Sequence, residues 1–162
     1  MASEAEALVQ LLQGAQARFQ AALQGISEAE LRTPPREGEW TVAQVVGHVA
    51  ELQPFWMRKV LLMVTLENPS VARTPEEQEQ RVRAVAEAEG MPWPELERRL
   101  QESAAQALEL ARRLRDGDLR RLGTRGDGQA VTVQQMVERF IAGHLEEHAR
   151  QVEATRRAVA AR

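Results

Sequence analysis

The stretch Gly143-His144-Leu145-Glu146-Glu147-His148-Ala149-Arg150-Gln151 sets the helical period of the C-terminal region and carries two of the three histidines. A spacing of four residues places His144 and His148 on one face of a helix, about one turn apart. The same face continues through the apolar residues Val133, Met136, Val137, Phe140, Ile141 and Val152. We therefore predict a long amphipathic helix, beginning after the N-cap residue Thr132, whose buried side holds both imidazoles.

The third histidine, His48, lies on a second predicted helix. A capping-box pattern between Thr41 and Gln44 marks its start. Apolar residues then recur at helical spacing from Val42 to Val64, which predicts a long helix with one buried side. Pro54 falls inside it, where proline removes one backbone hydrogen bond and is expected to cause a kink.

Three further segments read as helices, and one reads as a loop. Apolar spacing predicts a long helix from Ser3 to Gln24 and another from Pro92 to about Arg115. Between the two histidine-bearing helices, Thr74 and Pro75 begin a short, highly charged helix that should lie on the surface and end near Glu89. Residues 116 to 130 contain four glycines and predict a mobile polar loop. No segment predicts a strand.

Four long amphipathic helices without a sheet predict an all-α four-helix bundle. A chain of 162 residues suits one domain, so we expect a single domain over residues 1–162. The connection from Glu67 to Met91, which includes the short surface helix, is long enough to carry the chain along the whole bundle. This predicts an up-down-down-up order of the four long helices.

Composition excludes several classes of protein. The longest apolar run is far shorter than the roughly 20 residues of a membrane span, and the acidic N-terminus does not resemble a secretory signal. We therefore expect a cytoplasmic protein without a membrane partner. The net charge is -3 with acidic and basic residues interleaved, so no basic face for nucleic acid is predicted. With no cysteine, histidine and carboxylate are the remaining strong metal ligands.

All three histidines are predicted to point inward, where an unpartnered imidazole costs free energy. A hydrogen-bond partner or a metal ion would offset that cost, and we interpret His48, His144 and His148 as a metal site. The His-x-x-Glu-His pattern of an inverted zinc protease is also present, but only Glu153 follows it as a candidate carboxylate ligand. Di-iron bundles are excluded because Val45, Ile141 and Leu145 stand where their glutamates are needed.

Other polar residues are spaced to support such a site. Gln151 lies three residues after His148 and Gln44 four before His48, so either could orient a ligand or a bound water. Glu51 is the candidate general base, although a solvated carboxylate is an equal interpretation. Arg36 and the arginines of the 116–130 loop are candidates to meet an anionic substrate.

Trp40-Thr41 leading to His48, followed by His144-x-x-x-His148-x-x-Gln151, resembles the DinB-like (DinB/YfiT) superfamily, whose members are regarded as metalloenzymes. The resemblance covers nearly the whole chain. It implies an up-down-down-up bundle, a homodimer, and a divalent metal held by His48, His144 and His148. Members of the superfamily include transferases and isomerases that use low-molecular-weight thiols.

Three neutral imidazoles would leave zinc or nickel with open positions, as in catalytic sites. We therefore expect a metal-dependent enzyme that hydrolyses a small substrate or transfers an external low-molecular-weight thiol. An alternative is a non-catalytic helical-bundle dimer that binds a metal or a small ligand. A third interpretation is a structural dimer whose core histidines are only hydrogen-bonded.

Overall fold

Helices dominate the computed structural model, which describes residues 1–162. Local sequence starts them: the side chains of Ser3, Ser27, Thr41, Thr74 and Thr132 each close a capping box with the residue three positions ahead. The first five helices are α1 (Glu4–Ala22), α2 (Glu28–Arg32), α3 (Val42–Thr65), α4 (Pro75–Glu89) and α5 (Trp93–Ala111). The C-terminal helix consists of α6 (Val133–Gln135), a π-helical segment (Met136–Ala142) and α7 (Gly143–Ala160).

Contacts at the helix ends fix the direction of α1 relative to two of its neighbours. Asp116, just beyond α5, accepts a hydrogen bond from the backbone N–H of Ala5 at the start of α1, at 2.8 Å. Helices α1 and α5 are therefore antiparallel. Arg156, near the end of α7, donates to the carbonyl of Ala22 at the end of α1, at 2.7 Å. Helices α1 and α7 are therefore parallel.

The helix α3 runs opposite to the C-terminal helix. His48, near the start of α3, contacts His148 of α7, whereas Trp56, farther along α3, contacts Phe140 in the π-helical segment. The residue number in the contact increases along α3 while it decreases along the C-terminal helix, so the two helices are antiparallel. The four long helices thus run up, down, down and up, which confirms the predicted bundle and its order.

The long connection between α3 and α5 holds α4 tightly against α3. An added Cβ at Gly47 of α3 would lie 2.4 Å from the Cβ of Ala88 and 2.9 Å from the carbonyl oxygen of Ala84. Only glycine permits so close an approach. Lys59 of α3 also forms a salt bridge with Glu77 of α4, at 2.9 Å. The predicted polar surface helix is therefore present and anchored at two points along α3.

A β-hairpin occupies the end of the predicted 116–130 loop, so the prediction of no strand was wrong. Strands β1 (Leu122–Thr124) and β2 (Ala130–Thr132) pair in an antiparallel register. The backbone of Thr124 in β1 also exchanges hydrogen bonds with Pro69 and Val71, both at 2.9 Å. Strands of three residues are too short for a period of two to be recognised in sequence.

The interior of the bundle is one apolar cluster to which all the long helices contribute. Its largest fully buried side chains include Phe19, Leu52, Met57, Leu100 and Leu145. Pro54 lies inside α3 without ending that helix. None of the helices has both the length and the apolar character needed to cross a membrane.

Two glycine substitutions test the close packing of α4 on α3. We expect Gly47→Ala to lower the free energy of unfolding by about 1–3 kcal/mol, because the new methyl group overpacks the contact with Ala84 and Ala88. Gly14→Ala in α1 is the control: no atom lies within 4 Å of its added Cβ, so it should raise stability by roughly 0.5–1 kcal/mol. Urea unfolding followed by circular dichroism measures both, and equal effects would contradict the packing described here.

Candidate metal centre

The antiparallel packing of α3 against α7 brings all three histidines together. The ring centroids of His48 and His148 are 4.9 Å apart, and those of His144 and His148 are 5.8 Å apart. Two imidazoles bound to one zinc ion at 2.0–2.1 Å have centroids roughly 5 Å apart. The separations are thus close to those of a shared ion. No group of three side chains is arranged here so that it could hold a metal ion, so binding of one ion by all three histidines would require at least one ring to turn.

His48 has the chemistry of a ligand in need of a partner. The residue is 7% exposed, and its Nδ1 is buried without a hydrogen bond. Burial, reinforced by the neighbouring charge of His148, lowers the pKa of His48 to about 3. The ring is therefore neutral at physiological pH. A buried polar atom without a partner costs about 1–3 kcal/mol, and a metal ion would offset this cost, so the residue fits a divalent metal.

The two histidines of α7 are held by oxygen acceptors. The Nδ1 of His144 lies 2.9 Å from the carbonyl oxygen of Phe140, and the Nδ1 of His148 lies 2.8 Å from the Oε1 of Gln151. In a neutral imidazole, donation from Nδ1 leaves Nε2 with the lone pair that binds a metal. Burial also lowers the pKa of His148, which favours this neutral form. Both rings thus keep the Nε2 lone pair available.

The π-helical segment directly precedes His144 and was not predicted. Gly143 donates its backbone N–H to the carbonyl of Glu138, five residues back. A Cβ at Gly143 would lie 3.1 Å from that carbonyl oxygen, closer than side chains normally approach. Such π turns are rare and frequently occur at functional sites. The glycine within an otherwise helical pattern was the available signal for it.

Gln44 and Glu51 have contacts other than those expected from their spacing. The Oε1 of Gln44 accepts from the backbone N–H of Thr41 at 2.9 Å, so this side chain caps α3 and forms no hydrogen bond with His48. The carboxylate of Glu51 forms a two-point ion pair with Arg73, one contact being 3.1 Å. Glu51 therefore helps to fasten the connection before α4, and its use as a general base stays a prediction.

Aromatic rings and a cavity border the histidine cluster. Trp40 packs on His48 with ring centroids 5.3 Å apart, and Phe140 meets His144 at 6.4 Å. A cavity of about 610 Å³ adjoins the cluster through Trp40 and Gln151, with Arg36 also in its wall. Its size is within the range of small-molecule sites. None of the three histidines lines the cavity itself, so its connection to the cluster is through Trp40 and Gln151.

These features define an up-down-down-up helical bundle with a histidine cluster between two antiparallel helices. The model of the DinB superfamily matches residues 11–152, a range that includes His48, His144, His148 and Gln151. The chain belongs to this superfamily.

Two relatives are similar to part of the chain. "Putative metal-dependent hydrolase GK0616" from Geobacillus kaustophilus (strain HTA426) is 34% identical over 70 residues, which are 43% of this chain and 39% of that protein. "Putative metal-dependent hydrolase YfiT" from Bacillus subtilis (strain 168) is 33% identical over 63 residues, 39% of this chain and 35% of that protein. The matched segments therefore span less than half of either relative.

Solved structures share the fold over almost the whole chain. The structure of YfiT from Bacillus subtilis, described as a probable metal-dependent hydrolase with an unusual four-helix bundle topology, has a TM-score of 0.72 and 23% identity. It covers 94% of this chain and 88% of its own. The mycothiol-dependent maleylpyruvate isomerase has a TM-score of 0.75 and 17% identity, covering 94% of this chain and 63% of its own. At these identities the likeness shows the fold alone.

Removing the hydrogen-bond partner of His148 tests the support of the candidate ligands. We expect Gln151→Ala to weaken zinc binding by about 10–100-fold, because the imidazole loses the acceptor that fixes its tautomer and orientation. Competition with a chromophoric chelator on metal-free protein measures the affinity. Gln101→Ala, at an exposed position of α5, is the matched control and should bind zinc as tightly as the wild type. An unchanged affinity in Gln151→Ala would contradict the role of this hydrogen bond.

Proposed function

We propose that this protein is a divalent-metal-dependent enzyme that acts on a small molecule, with His48, His144 and His148 as the metal ligands. The observation that carries this proposal is the convergence of three buried or half-buried imidazoles in forms suited to a metal. One has an unpartnered Nδ1, and the other two have Nδ1 hydrogen bonds that leave Nε2 available. Membership of the DinB superfamily and the names of the two relatives support it.

The chain's own residues would hold and shield the reacting centre. A bound zinc or nickel ion, the two we favour for imidazole ligands, supplies a lowered pKa for a water or thiol ligand and polarises an electrophile. Gln151 and the carbonyl of Phe140 keep two imidazoles oriented. The rings of Trp40 and Phe140 lie against His48 and His144, where they would shield part of the bound ion from bulk water.

Hydrolysis of a small substrate is the first candidate reaction. The two partial relatives are both named as metal-dependent hydrolases, and three imidazole ligands leave room for a water nucleophile.

Transfer of a low-molecular-weight thiol is the second candidate reaction. The chain contains no cysteine, so a sulfur nucleophile would have to be an external thiol. The structurally similar isomerase is named as mycothiol-dependent, so thiol transfer is included in the activity assays below. We further propose a homodimer, as the superfamily resemblance implies, and a cytoplasmic location, as the composition and the N-terminal sequence suggest. Sedimentation as a monomer at micromolar concentration would count against the dimer.

Metal loading and activity together test the proposed function. Metal-free protein should take up about one equivalent of zinc, nickel or cobalt, and His148→Ala should bind these ions at least 100-fold more weakly because one of three ligands is lost. The loaded wild type should hydrolyse activated esters or transfer a thiol, and His148→Ala should fall to background.

Two outcomes would exclude parts of this account. Failure of the wild type to take up any of the three ions would rule out the metal site. If the wild type binds a metal tightly but the wild type and His148→Ala both show only background reaction rates, the protein is a non-catalytic metal-binding bundle. Circular dichroism of each variant shows whether the fold is retained.

A further inference from the structure

Two arginines of the connection between α3 and α5 lie near the histidine cluster. Arg73 and Arg81 both place positive charge close enough to His48 to help lower its pKa, and Arg81 does the same for His148. Arg73 precedes α4, and Arg81 lies within it. Their different pairing decides what each can do.

Arg73 is committed to the fold. Its guanidinium forms the two-point ion pair with Glu51 and lies 3.8 Å from the ring centroid of Phe55. Its charge is therefore already balanced within the protein, and its side chain is only 10% exposed.

Arg81 is half-buried and has no partner. It lies three residues before Ala84 and seven before Ala88, so all three residues share one face of α4. This face packs against Gly47 of α3, and Gly47 is the residue before His48. Glu77, one turn earlier, has the spacing to form an ion pair with Arg81. Its carboxylate instead accepts a hydrogen bond from Lys59 at 2.9 Å and another from the backbone N–H of Thr74 at the start of α4. No salt bridge or hydrogen bond from the Arg81 side chain is formed. A partly desolvated guanidinium without an anion beside a functional cluster is suited to binding one from outside.

The net positive charge expected at the site also favours an anionic ligand. Three imidazole ligands are neutral, so a divalent ion would keep its full charge, and Arg81 adds another positive charge. The charge of Glu147 also reaches His148, but this side chain is exposed, so solvent and salt screen it. Arg125, in the hairpin, is paired with Asp127 at 3.6 Å and does not compete for this role.

We infer that the substrate carries a carboxylate or phosphate group and that Arg81 binds it beside the metal. The inference rests on the proposed function, because it concerns the same site. A guanidinium binds either oxyanion through two parallel hydrogen bonds. Arg81 would thus help to distinguish anionic from neutral substrates of similar size.

Two small thiols that differ in charge test the inference on cobalt-loaded protein. Both 3-mercaptopropionate and 2-mercaptoethanol can bind cobalt through sulfur, which produces a charge-transfer absorbance in the near ultraviolet. With affinities expressed per thiolate, the wild type should prefer 3-mercaptopropionate by about ten-fold, the discrimination worth roughly 1.4 kcal/mol. Arg81→Ala should lose this preference without weakening 2-mercaptoethanol, and Arg81→Lys should keep part of it. Inorganic phosphate and acetate, added as competitors, show which oxyanion displaces the thiol better.

A control variant and two contrary results separate this inference from the proposed function. Arg83→Ala, at an exposed position of the same helix, should retain the wild-type preference. Equal affinities for the two thiols in the wild type, or an unchanged preference in Arg81→Ala, would overturn the anionic substrate while leaving the metal enzyme intact. Failure of the wild type to bind cobalt would overturn the proposed function, and this inference with it.

Discussion

The placement of one buried and two half-buried imidazoles between two antiparallel helices is the constraint on which the rest of this molecule depends. A polar nitrogen without a partner inside a protein costs about 1–3 kcal/mol, and His48 carries such a nitrogen. An apolar residue would fill that position without the cost. Features that oppose stability at one place are expected at functional sites. This cost is the physical argument for the proposed metal site.

The order of the helices is what makes the cluster possible. Because α3 runs opposite to the C-terminal helix, a histidine near the start of α3 meets one near the middle of the C-terminal helix. The long connection that follows α3 then returns along the bundle and brings α4 against α3 beside the cluster. Two ion pairs, Lys59 with Glu77 and Arg73 with Glu51, fasten this connection to α3. The same connection that permits the topology thus also brings Arg81 of α4 near the cluster.

The sequence predicts those parts of the fold that depend on local spacing. Helical stripes and capping boxes such as Thr41 with Gln44 are local patterns, and the structure has the bundle that they predict. The short hairpin depends instead on pairing with Pro69 and Val71 of a distant segment. The π-helical turn before His144 adds one residue to a single turn and leaves almost no trace in hydrophobic period. Both are decided by tertiary context.

The contacts of the candidate site could likewise be predicted only where they depend on local spacing. A spacing of three residues was enough to place Gln151 beside His148. The same reasoning could not show that Gln44 is occupied as a cap or that Glu51 pairs with Arg73, because several partners lie within reach of each side chain. The position of Arg81 depends on how closely α4 approaches Gly47, which spacing along one helix does not reveal.

X-ray absorption spectroscopy of the zinc-loaded protein shows whether the three imidazoles share one ion. We expect three imidazole nitrogens at about 2.0–2.1 Å from the ion, with the multiple scattering typical of imidazole rings, and two such ligands in His48→Ala. A zinc shell without imidazole scattering, or one unchanged by His48→Ala, would contradict this expectation.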